Sequence, residues 1–250
     1  MLYSHRNNIR KRVINMYKGA NAGHVGCSLS CLEILTFIKF EVMKTGDEFI
    51  LSKGHAAALL YAVWAEAGIL SDKDIASFYL NDTQLPAHPP VNTIKGIPFA
   101  TGSLGHGLSI ATGLGLANKL KNNNKKIYCL TSDGELNEGS TWEAALFLSH
   151  HNLQNVVWFI DRNYLQGFGR TEETIKMDPL DKKLEAFGFE VAIADGHDFE
   201  SLKISVANYQ HTKPLAVICN TVKGKGMFLQ NTVDCHYLPL NDEDFINLTQ

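Results

Sequence analysis

Two residues thirty positions apart carry the first chemical signal: Asp133, in Ser-Asp-Gly at 132–134, and Asn163, in Asp-Arg-Asn at 161–163. Each stands just past a short apolar run, 127–131 before the first and 156–160 before the second. A carboxylate and an amide carbonyl are hard oxygen donors, suited to Mg²⁺ or Ca²⁺. Mg²⁺ keeps water and recruits substrate phosphates, so the pair points to a phosphorylated ligand. Each residue also has a plainer reading, Asp133 as a cap and Asn163 as a turn former. The second signal is histidine: there are ten, and His24, His55, His106 and His197 directly follow a glycine. Imidazole ionises near neutrality and suits proton transfer. Taken singly, any one of them is better read as a satisfied structural residue.

Other groupings carry less. His24, Cys27 and Cys31 suggest zinc, but a fourth ligand at suitable spacing is absent from the sequence. The run 102–107 reads GxxGxG rather than GxGxxG, and no strand precedes it, which argues against a dinucleotide fold. Lys223-Gly-Lys225-Gly resembles a phosphate loop only loosely and reads better as a mobile segment closing over a ligand.

The elements that position these residues follow from periodicity. Ile9, Val13, Ile14 and Tyr17 share helical spacing over 4–18, with basic residues on the solvated face. After a loop over 21–28, Ser30 is placed to cap a helix over 31–43, with Glu33 completing a capping box. An alanine-rich helix follows His55 up to Gly68, and 81–102, with four of the seven prolines, reads as an ordered loop. The small residues of 105–120 predict a helix packed closely on a neighbour. Apolar runs at 127–131, 156–160, 190–194 and 215–219 then alternate with helical stretches at 141–150 and 202–209. That alternation predicts an α/β fold with a mostly parallel sheet and helices on both faces. The two signal residues would converge outside the carboxyl ends of neighbouring strands, where ligands of such sheets bind.

At 250 residues, 45% hydrophobic and 20% charged, the chain can bury a sizeable core. Its 23 Lys and Arg against 26 Asp and Glu leave a net charge of −3, so neither nucleic acid nor a membrane surface is the expected partner. Five cysteines without a CxxC pair suit free thiols in a reducing compartment. The first residues are charged where a signal peptide is apolar, and the longest apolar run, 56–70, is interrupted by Glu66. The expectation is a single cytoplasmic domain over 1–250.

Aspartate-glycine after one strand and asparagine after the next resembles the thiamine diphosphate signature. More specifically, SDGELNEGSTWEAALFLSHHNLQNVVWFIDRN (132–163) is similar to the corresponding segment of transketolases. The likeness continues, in order, through AGHVG (22–26), LSKGHAA (51–57), HPP (88–90), TGSLGHGLS (101–109), DGHDF (195–199), TVKGKG (221–226) and DCHYLPLND (234–242). Size and motifs resemble the N-terminal subunit of split transketolases, in which a polypeptide found whole elsewhere is divided in two. The resemblance implies a thiamine diphosphate-binding fold and transfer of a two-carbon ketol unit from a ketose, or ketose phosphate, to an aldose.

It also implies roles. Asp133 and Asn163 would hold Mg²⁺ by side chain, with the Leu165 carbonyl completing the protein ligands; Ca²⁺ or Mn²⁺ could substitute. Gly134 would let the backbone approach the diphosphate, and Gly102 and Leu104 would meet the aminopyrimidine ring. Asp161 would support the metal loop, and Glu138 would lie near the cofactor where the two polypeptides meet. His24, His55, His88 and His236 would line the substrate channel. Of these, His24 and His236 would move protons, His88 would bond the donor's C1 hydroxyl, and His55 would lie between diphosphate and substrate. His106 stands where large transketolases more often carry glutamine, and His197 reads as structural.

The departures from the family pattern are Ser132 for glycine, the aromatic residues Tyr164 and Phe168 after Asn163, and Tyr237 for the usual glycine after His236. They predict added bulk near the diphosphate and a specialised sugar. A complete transketolase also has a pyrimidine-binding domain with a catalytic glutamate, and the motifs here fill the chain with the diphosphate-binding half alone. The chain is therefore expected to need a C-terminal subunit, in an α₂β₂ assembly. Two alternatives remain: the α subunit of an E1-type 2-oxo acid dehydrogenase, which shares the aspartate–asparagine pair, and a noncatalytic cofactor-binding paralogue.

Overall fold

Five short runs rich in apolar residues form the sheet around which everything else is arranged. In the computed structural model, which describes residues 1–249, these are β1 (Glu48–Leu51), β2 (Ile127–Ser132), β3 (Val156–Arg162), β4 (Glu190–Asp195) and β5 (Leu215–Asn220). Gln250, the last residue of the expected domain, lies outside the described residues. The strands run in the order β1-β2-β3-β5-β4 and every neighbouring pair is parallel. β2 and β3 are buried along their whole length, as strands covered on both faces must be.

Side chains alternate between two cores. Tyr128, Leu130, Val157, Phe159 and Val217 face one, while Cys129, Trp158, Ile160 and Ile218 face the other. The first core is closed by α1 (Leu2–Ala20), α2 (Val25–Ser30), α3 (Leu32–Phe37) and α4 (Ala57–Glu66), with the short α5 (Asp72–Ile75) beside them. The second is closed by α6 (Gly107–Leu120) and α7 (Gly139–His150). Beyond the short α8 (Thr171–Thr174), α9 (Leu180–Ala186) joins that second core. α10 (Phe199–Ala207), α11 (Asp234–Tyr237) and α12 (Asp242–Thr249) return to the first. α6 packs as closely as its small residues predict: a Cβ on Gly115 would lie 2.3 Å from Val156 Cγ2.

Two expectations need correction. Ser30 caps no helix; it is the last residue of α2, and its hydroxyl donates to Asp161 Oδ1 at 2.8 Å. Glu33 turns to His197 and Arg6 instead of back to Ser30, so the needs of buried partners override the local capping pattern. β1 is not among the expected strands, because four residues followed by Ser-Lys-Gly-His give no period to read. The 81–102 segment is irregular as expected apart from an isolated Ile94–Ile97 bridge. Among the described residues no helix is long and apolar enough to cross a membrane.

All five strands end at one edge, where parallel sheets bind ligands. Lys53 and His55 follow β1, Asp133 follows β2, Asn163 follows β3, His197 follows β4, and Thr221 and Lys223 follow β5.

Candidate active site

At the centre of that edge Asp161, near the end of β3, is fully buried. It pairs with the Lys53 ammonium, which is equally buried. It also accepts from Ser30 Oγ, from the Thr221 hydroxyl and from Asn163 Nδ2, the last at 3.3 Å. Burial opposes ionisation of Asp161, but the Lys53 charge and these hydrogen bonds outweigh it and hold the carboxyl below its ordinary value. Lys53 also donates to the Cys27 carbonyl at 3.2 Å, so one ammonium ties β1, β3 and α2 together.

Asp133 is a different kind of carboxylate. It is fully buried and accepts from Gly134 N–H (2.9 Å), Tyr164 N–H (2.7 Å) and the Thr171 hydroxyl (3.1 Å). Among the described residues it forms no ion pair. Its pKa is pushed up to about 6, by burial first and by the Asp161 charge second. A buried carboxylate in this state favours a cation beside it. Asn163 Oδ1 accepts from Leu165 N–H at 3.1 Å, and the Leu165 carbonyl accepts from Lys223 Nζ at 3.1 Å. The third oxygen of the expected ligand set thus already faces a positive charge. An anion without a counter-ion, an amide oxygen and a carbonyl turned toward a cation fit a hard divalent metal.

A cavity of about 430 Å³ opens beside these residues. Ser132, Gly134, Asn163 and Leu165 line one wall, and Gly102, Leu104 and Glu138 another. Gly102 sits at φ +139°, and a Cβ there would lie 2.5 Å from the His88 ring, so only glycine lets the loop and the imidazole pack together. The loop is held by Glu135, a buried residue that accepts from Ser52 Oγ, Gly105 N–H (2.8 Å) and Ser132 N–H (3.4 Å). It links the ends of β1 and β2 to the start of α6.

The four expected channel histidines meet in this cavity, brought together from four separate segments. The His24 ring lies 5.0 Å from that of His236, 5.8 Å from His55 and 6.3 Å from His88, centre to centre. His24 has a left-handed backbone, φ 71°, and its N–H donates to the His236 carbonyl at 3.0 Å. Among the described residues His24 Nδ1 is buried without a hydrogen-bond partner. His236 Nδ1 lies 2.8 Å from the Lys223 ammonium, which can only donate. His55 is pushed down to about 4, chiefly by burial, and His88 is lowered by burial and by the charge of His24. A second cavity, about 420 Å³, continues past His24, His55 and His88 toward Tyr17, Phe78 and Tyr79.

Ten of the twelve expected site residues therefore line one cavity, and Asp133 and Asp161 lie buried behind it. His106 does not join them; it is the exposed residue preceding α6. Of the aromatic departures, Phe168 and Tyr237 reach the cavity, and Tyr237 donates its hydroxyl to the Gly167 carbonyl at 3.0 Å. Tyr164 does not. Its backbone, at φ 63°, turns its N–H to Asp133 and carries its ring away to Arg162 and Asn220. Lys223, in the segment expected to close over a ligand, carries much of the site's charge together with Lys53 and Glu135, and the sequence does not single out the last two as site residues. Nothing in a lone lysine or glutamate marks it as buried.

The profile described as "Transketolase, thiamine diphosphate binding domain" matches residues 4–250. The chain is 40% identical over 248 residues to an apulose-4-phosphate transketolase subunit of Actinobacillus succinogenes, covering 94% of this chain and 90% of that one. It is 35% identical over 249 residues to a 6-deoxy-6-sulfo-D-fructose transketolase subunit of Clostridium sp. strain MSTE9, covering 95% and 90%. The crystal structure of transketolase from Campylobacter jejuni superimposes with a TM-score of 0.90 at 31% identity, covering 99% of this chain and 42% of that one. The chain thus spans about two fifths of the solved transketolase, and it belongs to the transketolase family as its thiamine diphosphate-binding domain.

Proposed function

We propose that this chain is the diphosphate-binding subunit of a transketolase and that, joined by a C-terminal subunit, it transfers a two-carbon ketol unit from a ketose to an aldose. The observation that carries this reading is the convergence of four imidazoles and the Asp133–Asn163 oxygen set on one cavity at the carboxyl edge of the sheet. Two relatives are named for an anionic sugar, one a phosphate and one a sulfonate, which supports an anionic ketose as the substrate class. An α₂β₂ assembly is the corresponding arrangement.

In this reading Asp133, Asn163 and the Leu165 carbonyl would hold Mg²⁺, and the Lys223 ammonium beside that carbonyl would add positive charge for an anionic cofactor. Bound thiamine diphosphate supplies the electron sink that breaking the ketose C2–C3 bond requires. The protein's part is proton handling. Because the Lys223 ammonium donates to His236 Nδ1, neutral His236 carries its proton on Nε2 and acts as a donor toward a substrate oxygen. His24, whose ring lines the cavity, accepts the C3 hydroxyl proton in this reading. His55 is neutral at physiological pH and offers a hydrogen bond without a charge. His88 supports the donor's C1 hydroxyl.

The test is a coupled ketol-transfer assay with the partner chain, run beside equilibrium binding of thiamine diphosphate. Asp133→Ala is expected to abolish Mg²⁺-dependent cofactor binding. His24→Ala is expected to leave binding within twofold and to lower turnover by about 10²–10⁴. If neither variant changes either property, the catalytic reading fails and a noncatalytic cofactor-binding role replaces it.

A further inference from the structure

We propose that His24, Cys27 and His236 form a binding site for a soft divalent cation such as Zn²⁺, separate from the Asp133 magnesium site, and that its occupation inhibits the enzyme.

Their ligand atoms, one from each residue, all lie within 4.8 Å of one another. Cys27 Sγ and His236 Nδ1 are 3.6 Å apart. Tetrahedral zinc, with bonds of about 2.0–2.1 Å to nitrogen and about 2.3 Å to sulfur, requires an N···S separation of about 3.6 Å. The cysteine is fully buried and faces the histidines rather than solvent.

The sequence grouping of His24, Cys27 and Cys31 is the wrong triad. Cys31 directs its Sγ to the carbonyls of Cys27 and Ser28 within its own helical segment. The third ligand arrives instead from α11, where His236 is held against α2 by the His24 N–H to His236 carbonyl bond.

One detail marks the cluster as ready for a cation: among the described residues His24 Nδ1 is a buried nitrogen without a partner, an unmet hydrogen-bonding group that a metal would satisfy. His236 Nδ1 accepts from the Lys223 ammonium at 2.8 Å, so its lone pair is occupied by a cation. Lys223 is therefore the metal's competitor, and zinc must displace it. Cys27 would bind as thiolate, its proton leaving to solvent.

The donor set decides the metal. Thiolate and imidazole favour Zn²⁺, whereas carboxylate and carbonyl oxygens favour Mg²⁺. Three protein ligands leave a fourth position for water from the adjoining cavities. The inhibitory part rests on the transketolase reading, because zinc on His24 and His236 removes the nitrogens assigned to proton transfer.

The experiment uses the full chain assembled with its partner, in saturating Mg²⁺ and thiamine diphosphate. Zn²⁺ is titrated against a chromophoric chelator, and Co²⁺ is added separately as an optical probe. One Zn²⁺ per chain and a thiolate-to-cobalt charge-transfer band are expected. Cys27→Ser is expected to weaken Zn²⁺ by at least about tenfold and remove the band. Lys223→Met is expected to tighten it, Cys31→Ala to leave it unchanged, and excess Mg²⁺ not to displace it. In the activity arm, Zn²⁺ is expected to inhibit wild type and to inhibit Cys27→Ser at least about tenfold less strongly, with zinc-free turnover of that variant unchanged. Zinc affinity unaffected by Cys27→Ser, or a cobalt spectrum without the band, overturns the site. Binding without inhibition of an active enzyme overturns the inhibitory role. Because the binding arm needs no turnover, failure of the transketolase reading would be seen separately as absent ketol transfer in zinc-free enzyme.

Discussion

A histidine forced to stay neutral costs the fold stability wherever the unfolded chain would take up a proton. His55 has an ordinary value of 6.5 when unfolded and about 4 when folded, mainly because the fold withdraws much of its ring from water. Its folded pKa is depressed, so its contribution is intact above pH 6.5 and is lost as pH falls toward 4. The ceiling on that loss is ~3 kcal/mol. His55→Asn is expected to flatten the acid limb of the apo chain's urea-unfolding stability between pH 6.5 and 4, with little change at pH 8. An unchanged limb would show that another group governs acid sensitivity. At this scale the sequence is partly legible. Asp133 and Asn163 can be found because oxygen donors after two strands are visible in order, and His24 and His55 because each follows a glycine, whereas His88 and His236 follow none and are found only through the family motifs around them. Lys53 cannot, since its importance comes from pairing with Asp161, 108 residues away and two strands along the sheet. Losing one member of such a buried pair strands the other charge, at a cost of about 3–5 kcal/mol.

Among the elements, the loop after β5 shows how a residue outside the cavity can govern one inside it. The His197 side chain is only 4% exposed; its Nε2 accepts from Val222 N–H at 2.9 Å. That fixes the proton on Nδ1, which donates to Glu33 Oε2 at 2.9 Å. Glu33 on α3 thereby anchors the loop that delivers Lys223. His197→Ala is expected to raise the thiamine diphosphate Kd about tenfold, the loss of roughly one hydrogen bond. Turnover at saturating cofactor should stay unchanged, and His197→Gln should restore part of the affinity. In a Lys223→Met background the His197 effect should nearly vanish; full additivity would refute the coupling. The long elements are legible from period alone. The short ones are not: β1 has four residues, and α2 starts within the stretch expected to be a loop. Their positions are set by burial against Asp161 and the sheet, which no local pattern encodes.

For the whole molecule, the rim of the cavity is the feature that needs company. Phe168 is 89% exposed, Ile175 54% and Tyr237 53%, and all three line the cavity that holds the histidines. Large apolar side chains around an active-site mouth mark a surface meant to be covered. The proposed C-terminal subunit would cover it and exclude water from the histidines. Phe168→Asp and Ile175→Asp test this at the surface without entering the core. If either is an interface anchor, it should weaken assembly by at least about 30-fold, the effect of losing about 2 kcal/mol at a hot spot. The Tm of the isolated chain should remain within a few degrees of wild type, and ketol transfer should fall with the assembled fraction as read by size-exclusion chromatography. Raising the partner concentration should recover activity in these variants, because the histidines and metal residues are untouched. Activity lost while assembly stays intact would place Phe168 and Ile175 in the reaction rather than at the interface. Full ketol transfer by the isolated wild-type chain, given thiamine diphosphate and Mg²⁺, would remove the need for a second polypeptide.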